Sequence, residues 1–292
     1  MPMIAHDRAI QPLGRRAHMR ARHRTAACTT TTVGSAVRVR LVACVACVAM
    51  LALALIPGMR PFSVAATAAA PPIILVFTRT TGYRHASIPA AVATVRALGR
   101  RDGFAVVATE DPRAFTDAVL HRFRAVAFLF TTGTVLNAGQ RGALERFVRH
   151  GGGWLGVHSA SDTAYTWPFY GRLVGAYFRR HPAIQPATVD VIDRRNPATA
   201  PLPAVWWRVD EWYDFRSNPR GRVHVLATVD ERSYRGGGMG VDHPIAWCHE
   251  NLGGRTFYTA MGHTIAAYHE PLFLAHLRGA LDYVLGRGLA CR

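Results

Sequence analysis

The sequence predicts one α/β domain, a doubly wound and mostly parallel sheet with helices on both faces and a β-rich elaboration in its second half. Three observations predict it. Four apolar runs of strand length, residues 73–77, 104–108, 125–130 and 154–157, alternate with segments of helical spacing. These runs are nearly unbroken, as strands buried on both faces of a helix-covered parallel sheet must be. From Val189 the pattern shortens to strand pieces at 189–192, 206–209, 223–229, 244–248 and 256–260, and a helix over 271–285 closes it. No internal repeat and no linker divides the body, so residues 71–288 are expected to form one domain with a short tail, 289–292.

The first half can be justified element by element. Ser87 stands where an N-cap is needed, Pro89 suits a first turn, and Val92, Val95 and Leu98 follow at helical spacing. Residues 115–120 make a short helix. Asn137 caps another that runs through Leu144, Phe147 and Val148, and Gly151-Gly152-Gly153 ends it before the fourth strand. With right-handed crossovers, the carboxyl ends of the strands share one side of the molecule, and ligands bind there. Those ends are the loops 78–85, 131–137 and 158–165.

Residues 1–70 read differently. Arg15, Arg16, Arg20, Arg22, Arg24, Arg38 and Arg40 precede an apolar run, 41–56, which gives way to Pro57, Gly58 and a small-residue stretch, 63–70. Positive flank, apolar core and small-residue exit make a secretory signal, with Ala66-Thr67-Ala68 or a neighbouring triplet as the expected cleavage site. The run is short for a membrane span, and an uncleaved anchor is the alternative. Leu41-Val42-Ala43-Cys44 has the letters of a lipidation box but opens the apolar core instead of following it. A secreted or extracytoplasmic protein is expected, touching a membrane only if the segment is retained.

Composition excludes several classes. Residues 1–68 hold nine arginines and one acid, so the remainder carries 26 arginines against 17 acids, +9 where the whole chain has +17. No basic run with interleaved aromatics exists there, so no nucleic-acid partner is expected. The chain has no lysine, which excludes Schiff-base, pyridoxal-phosphate, P-loop and Ser/Lys chemistries. Only Cys248 and Cys291 follow the signal, enough for at most one bridge and no zinc knuckle. Cys248, inside 244–248, is expected to be a buried small hydrophobe.

The chemistry-bearing residues gather at predicted loop starts. Gly156-Val157-His158-Ser159-Ala160 has the small neighbours of a nucleophile elbow, with His where Ser or Cys would stand. Tyr83, His85, Asp162, His181, the run Asp210-Glu211-Trp212-Tyr213, Asp242-His243-Pro244 and Gly262-His263-Thr264 surround it in the chain. One histidine alone is usually structural; several at strand ends suggest a site. Imidazoles beside carboxylates supply both halves of a proton transfer near neutrality. Since His158 and His263 each follow a strand, they are expected to share one pocket with Glu211 or Asp210, under the folded-over D-E-W-Y segment.

The sequence also resembles the ThuA-like, or trehalose-utilisation, proteins, whose fold is that of the class I glutamine amidotransferases. The resembling motifs are T-G-Y-R-H-A-S-I-P (81–89), T-T-G (131–133), G-G-G-W-L-G-V-H-S-A (151–160) and W-P-F-Y-G-R-L-V-G (167–175). They continue with H-P-A-I (181–184), D-E-W-Y-D-F (210–215), D-H-P-I-A-W-C-H-E (242–250) and M-G-H-T (261–264). The resemblance implies a flavodoxin-like sheet and a link to the metabolism of trehalose or related disaccharides as keto sugars. The amidotransferases' elbow Cys corresponds to His158, so no glutamine amidotransferase activity is expected. His269-Glu270-Pro271 is similar to the end of their triad.

The leading expectation is therefore a carbohydrate-active lyase, isomerase or hydrolase. His158, His263 and Glu211 are assigned proton transfer, and Tyr83, His85, Trp167, Asp210, Trp212 and His243 substrate binding. A variant has His158, His181 and His243, with Asp210 or Glu211, hold a divalent metal. The alternative is a non-catalytic carbohydrate-binding or scaffold module; a hydrolase using Ser159 ranks last.

Overall fold

The computed structural model describes residues 70–291, so the basic segment, apolar run and cleavage site lie outside the described residues. The first half follows the expected alternation: β1 (Ile73–Phe77), α1 (Ile88–Asp102), β2 (Ala105–Thr109), α2 (Asp117–Leu120), β3 (Ala125–Leu129), α3 (Ala138–Arg149) and β4 (Gly153–Val157). The second half holds α4 (Pro168–Val174), β5 (Phe178–Arg180), β6 (Gln185–Val191), β7 (Val205–Asp210), β8 (Asp214–Phe215), β9 (His224–Val229), β10 (Pro244–His249), β11 (Thr256–Thr259) and α5 (Pro271–Val284).

Nine strands form one sheet in the order β2-β1-β3-β4-β11-β10-β9-β6-β7, while β5 and β8 pair separately. The strands β2, β1, β3, β4 and β11 are mutually parallel, and β10, β9, β6 and β7 continue antiparallel. With β11 in fifth place the parallel half has the 2-1-3-4-5 order of a flavodoxin-like sheet. Every residue of β3 and β4 is buried, which requires cover on both faces.

Local signals explain the boundaries, with one correction. Ser87 occupies the N-cap of α1, but its own backbone is helical and its side chain makes no cap bond; the buried hydroxyl has no partner. Pro89 in the first turn and left-handed Gly103 (φ 71°) punctuate that helix instead. Asn137 does cap α3: its Oδ1 accepts from Gln140 N (3.0 Å) while Gln140 Oε1 accepts from Asn137 N (2.9 Å).

A second correction concerns the cysteines. Cys248, in β10, is fully buried as expected, yet it is disulfide-bonded to Cys291 with Cα atoms 6.0 Å apart. The expected tail is thus tied at Cys291, whose backbone N–H also donates to Glu250 Oε1 (3.2 Å).

Candidate functional site

The site is built where β1, β3, β4 and β11 end, beside the reversal of strand order at β1. Gly156 is needed in β4 because a Cβ there would lie 2.3 Å from the Trp154 ring. One residue past the strand, His158 turns into the left-handed region at φ 53°, and residues 158–162 form a short 3-10 turn. Phe130 (φ 58°) and Ala164 (φ 53°) are the other non-glycine residues in that region among the described residues. Each such backbone costs about 1–3 kcal/mol and persists only where its surroundings hold it. The T-T-G loop does the holding. Thr81 N donates to Thr132 O (2.9 Å), Gly133 N to Asp162 O (2.8 Å) and Ala164 N to Gly133 O (3.0 Å). The hydroxyls of Thr131 and Thr163 meet at 2.8 Å.

These turns bring His85, His158, Glu211 and His263 together, with ligand-type atoms of all four within 4.8 Å of one another. His158 Nδ1 lies 2.7 Å from the Ala260 carbonyl oxygen, which only accepts, so Nδ1 donates its proton there and Nε2 is the nitrogen turned to the cluster. That Nε2 is 3.0 Å from His263 Nδ1 and 3.4 Å from Glu211 Oε2, and His263 Nδ1 is 3.0 Å from the same Glu211 oxygen. Burial alone would raise the Glu211 carboxyl, but hydrogen bonds and charge from His158 and His263 outweigh it and hold Glu211 well below the usual carboxylate range. Burial, reinforced by the charges of His158 and His263, pushes His85 down to about 3, leaving it neutral.

The D-E-W-Y run divides its labour by side-chain direction. Glu211 enters the cluster, and Tyr213 lays its ring 4.2 Å from that of His158. Asp210 is fully buried, and its carboxylate accepts from the backbone N–H groups of Gly262 (2.7 Å), His263 (3.0 Å) and Glu211 (2.9 Å). It also pairs with buried Arg208 at 3.0 Å. Asp210 thus fixes the turn that presents His263 and has no face toward a ligand. Trp212 is buried elsewhere, its indole N–H donating to Gln185 O (2.9 Å).

A cavity of about 300 Å³ opens onto the cluster, lined by Tyr83, His85, Asp162, Phe178, His181, Glu211, Tyr213 and His263. His181 Nδ1 reaches the outer Glu211 oxygen at 3.1 Å, and Tyr83, two-thirds exposed, sits edge-on to His85 at the mouth. Besides Trp212, three expected members are elsewhere. Trp167 is buried against Tyr170, with Arg141 over its ring. His243 is fully buried in a separate group with Asp214 and Glu231, so His158, His181 and His243 do not form a ligand set. Asp210 is the third. Sequence reasoning gave His85 only a binding role and missed Phe178; the loop position of His85 after β1 was the available signal, whereas nothing local marks Phe178. Glu270, in the triad-like H-E-P, instead accepts from Trp206 Nε1 (3.0 Å) and pairs with Arg208 (3.2 Å), and Ser159 Oγ stands 3.4 Å from His85 Nδ1.

The family model for ThuA, described as trehalose utilisation, matches residues 73–284, all eleven strands and the whole cluster included. The chain belongs to the ThuA family. Membership supports a role related to trehalose utilisation. Among solved structures, a putative ThuA-like protein from Bacteroides uniformis is similar at 25% identity and TM-score 0.65, over 76% of this chain and 94% of that one. A putative ThuA-like protein from Parabacteroides merdae is similar at 18% identity and TM-score 0.61, over 75% and 91%. No curated protein sequence matches the chain. Within this ThuA chain, six of the eight motifs that carried the resemblance line the cavity (81–89, 181–184, 210–215, 261–264) or shape the loops beneath it (131–133, 151–160).

Proposed function

We propose that this ThuA protein is an exported, metal-assisted enzyme acting on a sugar or keto-sugar derivative. The observation that carries the reading is the triad of His158 Nε2, His263 Nδ1 and Glu211 Oε2, separated by 3.0, 3.4 and 3.0 Å. A tetrahedral ion with ligands at about 2.0–2.1 Å holds its donor atoms about 3.3 Å apart, so these three fit one with little movement. The donor set, neutral imidazole and carboxylate, suits zinc and its neighbours. The second shell suits it too, since His158 donates its other ring N–H to a backbone carbonyl and Asp210 anchors the backbone of His263.

A bound divalent cation supplies electrophilic polarisation of a carbonyl, or a water acidified to near neutrality. The chain's own residues do the rest. Glu211 stays ionised and orients both rings. Neutral His85 lines the cavity beside them. Tyr83, Phe178 and Tyr213 offer aromatic surface to the C–H face of a sugar ring, and half-exposed His181 connects Glu211 to solvent as a proton carrier. The Cys248–Cys291 bridge supports export, because structural disulfides persist in oxidising compartments.

The test is elemental analysis of purified protein, followed by a screen of trehalose, related disaccharides and their 3-keto derivatives for binding and turnover. One equivalent of metal, lost with activity on chelation and regained on reconstitution, is the expected result. Binding without turnover in the metal-loaded protein would overturn the enzymatic reading in favour of a carbohydrate-binding module.

A further inference from the structure

The cavity contains a second carboxyl, Asp162, whose surroundings differ from those of Glu211. Its backbone is pinned by the Gly133 N–H (2.8 Å), and its Oδ1 lies 2.6 Å from the Tyr165 hydroxyl. That hydroxyl also lies 3.1 Å from the Phe178 carbonyl oxygen. A phenol has one hydrogen to donate, and a backbone carbonyl can only accept. With Asp162 ionised, two acceptors compete for one hydrogen. With Asp162 protonated, a chain running Asp162 Oδ1–H to Tyr165 Oη–H to the Phe178 carbonyl satisfies every atom.

The charged groups facing Asp162 work against protonation. Arg216 stacks over the Tyr165 ring at 3.9 Å and, like His158, favours the carboxylate; His181, His263 and Glu211 share the cavity. Burial nevertheless outweighs the Tyr165 hydrogen bond and these charges, and raises the Asp162 carboxyl above its ordinary range. Glu211, in the same cavity, is held below it. Carboxyls whose environments push them apart in this way take opposite proton-transfer roles.

We propose that Asp162 is the proton donor of this cavity, acting opposite the His85–His158–His263–Glu211 cluster on a carbonyl or bridging oxygen of the bound sugar. The inference rests on the proposed function for the identity of the ligand, and on the Tyr165 geometry for the proton. In the step, the Asp162 O–H turns from the Tyr165 oxygen to the ligand oxygen, the O–H bond breaks, and its proton forms the new bond to the ligand oxygen. The carboxylate left behind accepts the Tyr165 hydrogen, which swings from the Phe178 carbonyl, and water at the open mouth returns the proton.

The first measurement needs no ligand. Carboxyl carbon NMR of the ¹³C-aspartate-labelled full chain, with Asp162→Asn assigning the signal, should show Asp162 titrating above an ordinary aspartate; titration at or below the ordinary value overturns the proposal. The second uses metal-loaded protein and 3-keto-trehalose. Asp162→Asn should lower kcat by about 10²–10⁴-fold at unchanged metal content, and wild-type kcat should fall as pH rises through the NMR midpoint. Wild-type-like turnover by Asp162→Asn overturns the proposal. If the wild type turns nothing over, the proposed function fails and trehalose binding decides: affinity that weakens through the same midpoint in the wild type but not in Asp162→Asn supports the proton donor, and a pH-independent wild-type affinity sinks it.

Discussion

Two groups of histidine and carboxylate adjoin where Glu211 and Asp214 flank Tyr213 in the chain, and only one of them is built as a site. In the buried group, His243 donates from Nε2 to Tyr213 O (2.8 Å) and sets Nδ1 2.9 Å from Glu231 and 3.1 Å from the Tyr234 hydroxyl. Glu231 also accepts from Met239 N (2.6 Å), and Asp214 accepts from Gly238 N (3.0 Å) and pairs with Arg180 at 2.9 Å. Every charge there meets a protein partner. In the cavity group, Glu211 and His263 border an open cavity, with His158 buried 3.4 Å behind Glu211 Oε2. Ligand-type residues in proximity do not make a site; an opening onto a cavity does. The two groups touch through Tyr213, whose carbonyl is held by His243 while its ring packs on His158.

The sharpest way to break this contrast is a pair of substitutions. His158→Ala should abolish stoichiometric metal binding and turnover, exceeding the about 10–100-fold loss typical of second-shell changes, in a chain that still folds. His243→Ala should do the reverse, costing about 1–3 kcal/mol of stability by leaving the buried Tyr213 carbonyl without its donor while the folded protein keeps its metal. Metal analysis and denaturant titration of both variants check it, and equal metal loss in the two would erase the distinction. The disulfide gives a purely structural reference: Cys291→Ser should cost about 3–4 kcal/mol for a loop of this size, without changing metal content.

Acid sensitivity supplies a third comparison, through a histidine outside both groups. Burial pushes His276 down to about 4, and its Nδ1 lies 2.9 Å from Ala198 O. Between pH 6.5 and about 4 the unfolded chain takes up a proton that folded His276 refuses. Stability is therefore full above pH 6.5 and lost as pH falls through that window, by at most about 3 kcal/mol from this residue. His85 and His249, also lowered by burial, act in the same direction. A His276→Gln variant should show a flatter decline in urea midpoint over that range; an unchanged slope would remove His276 from the account. The smallest effect belongs to the cavity mouth, where Tyr83→Ala should shift stability by no more than about 0.5 kcal/mol yet weaken sugar binding in calorimetry.

Much of this was legible in the residues because the signals are local. A five-residue apolar run buried on both faces reads as a strand wherever it lies, Asn137 and Gln140 specify a helix start by themselves, and His158 between Gly156 and Ala160 announces a sharp turn at a strand end. The order of β1 to β4 follows from right-handed crossovers, so the side on which His85 and His158 emerge was determined by the sequence alone. What the tertiary structure decided is everything that depends on side-chain direction after pairing. β11 reaches its place beside β4 only through the antiparallel strands that precede it in sequence, and that insertion puts His263 against His158. In D-E-W-Y, consecutive residues point to different environments, so Glu211 and Tyr213 enter the cavity while Asp210 and Trp212 are consumed by Arg208, the 262–263 turn and Gln185. His243 looked equivalent to His158 in composition and spacing. It differs because the backbone amides of Gly238 and Met239, with Arg180, neutralise its group from positions that no local pattern connects to it.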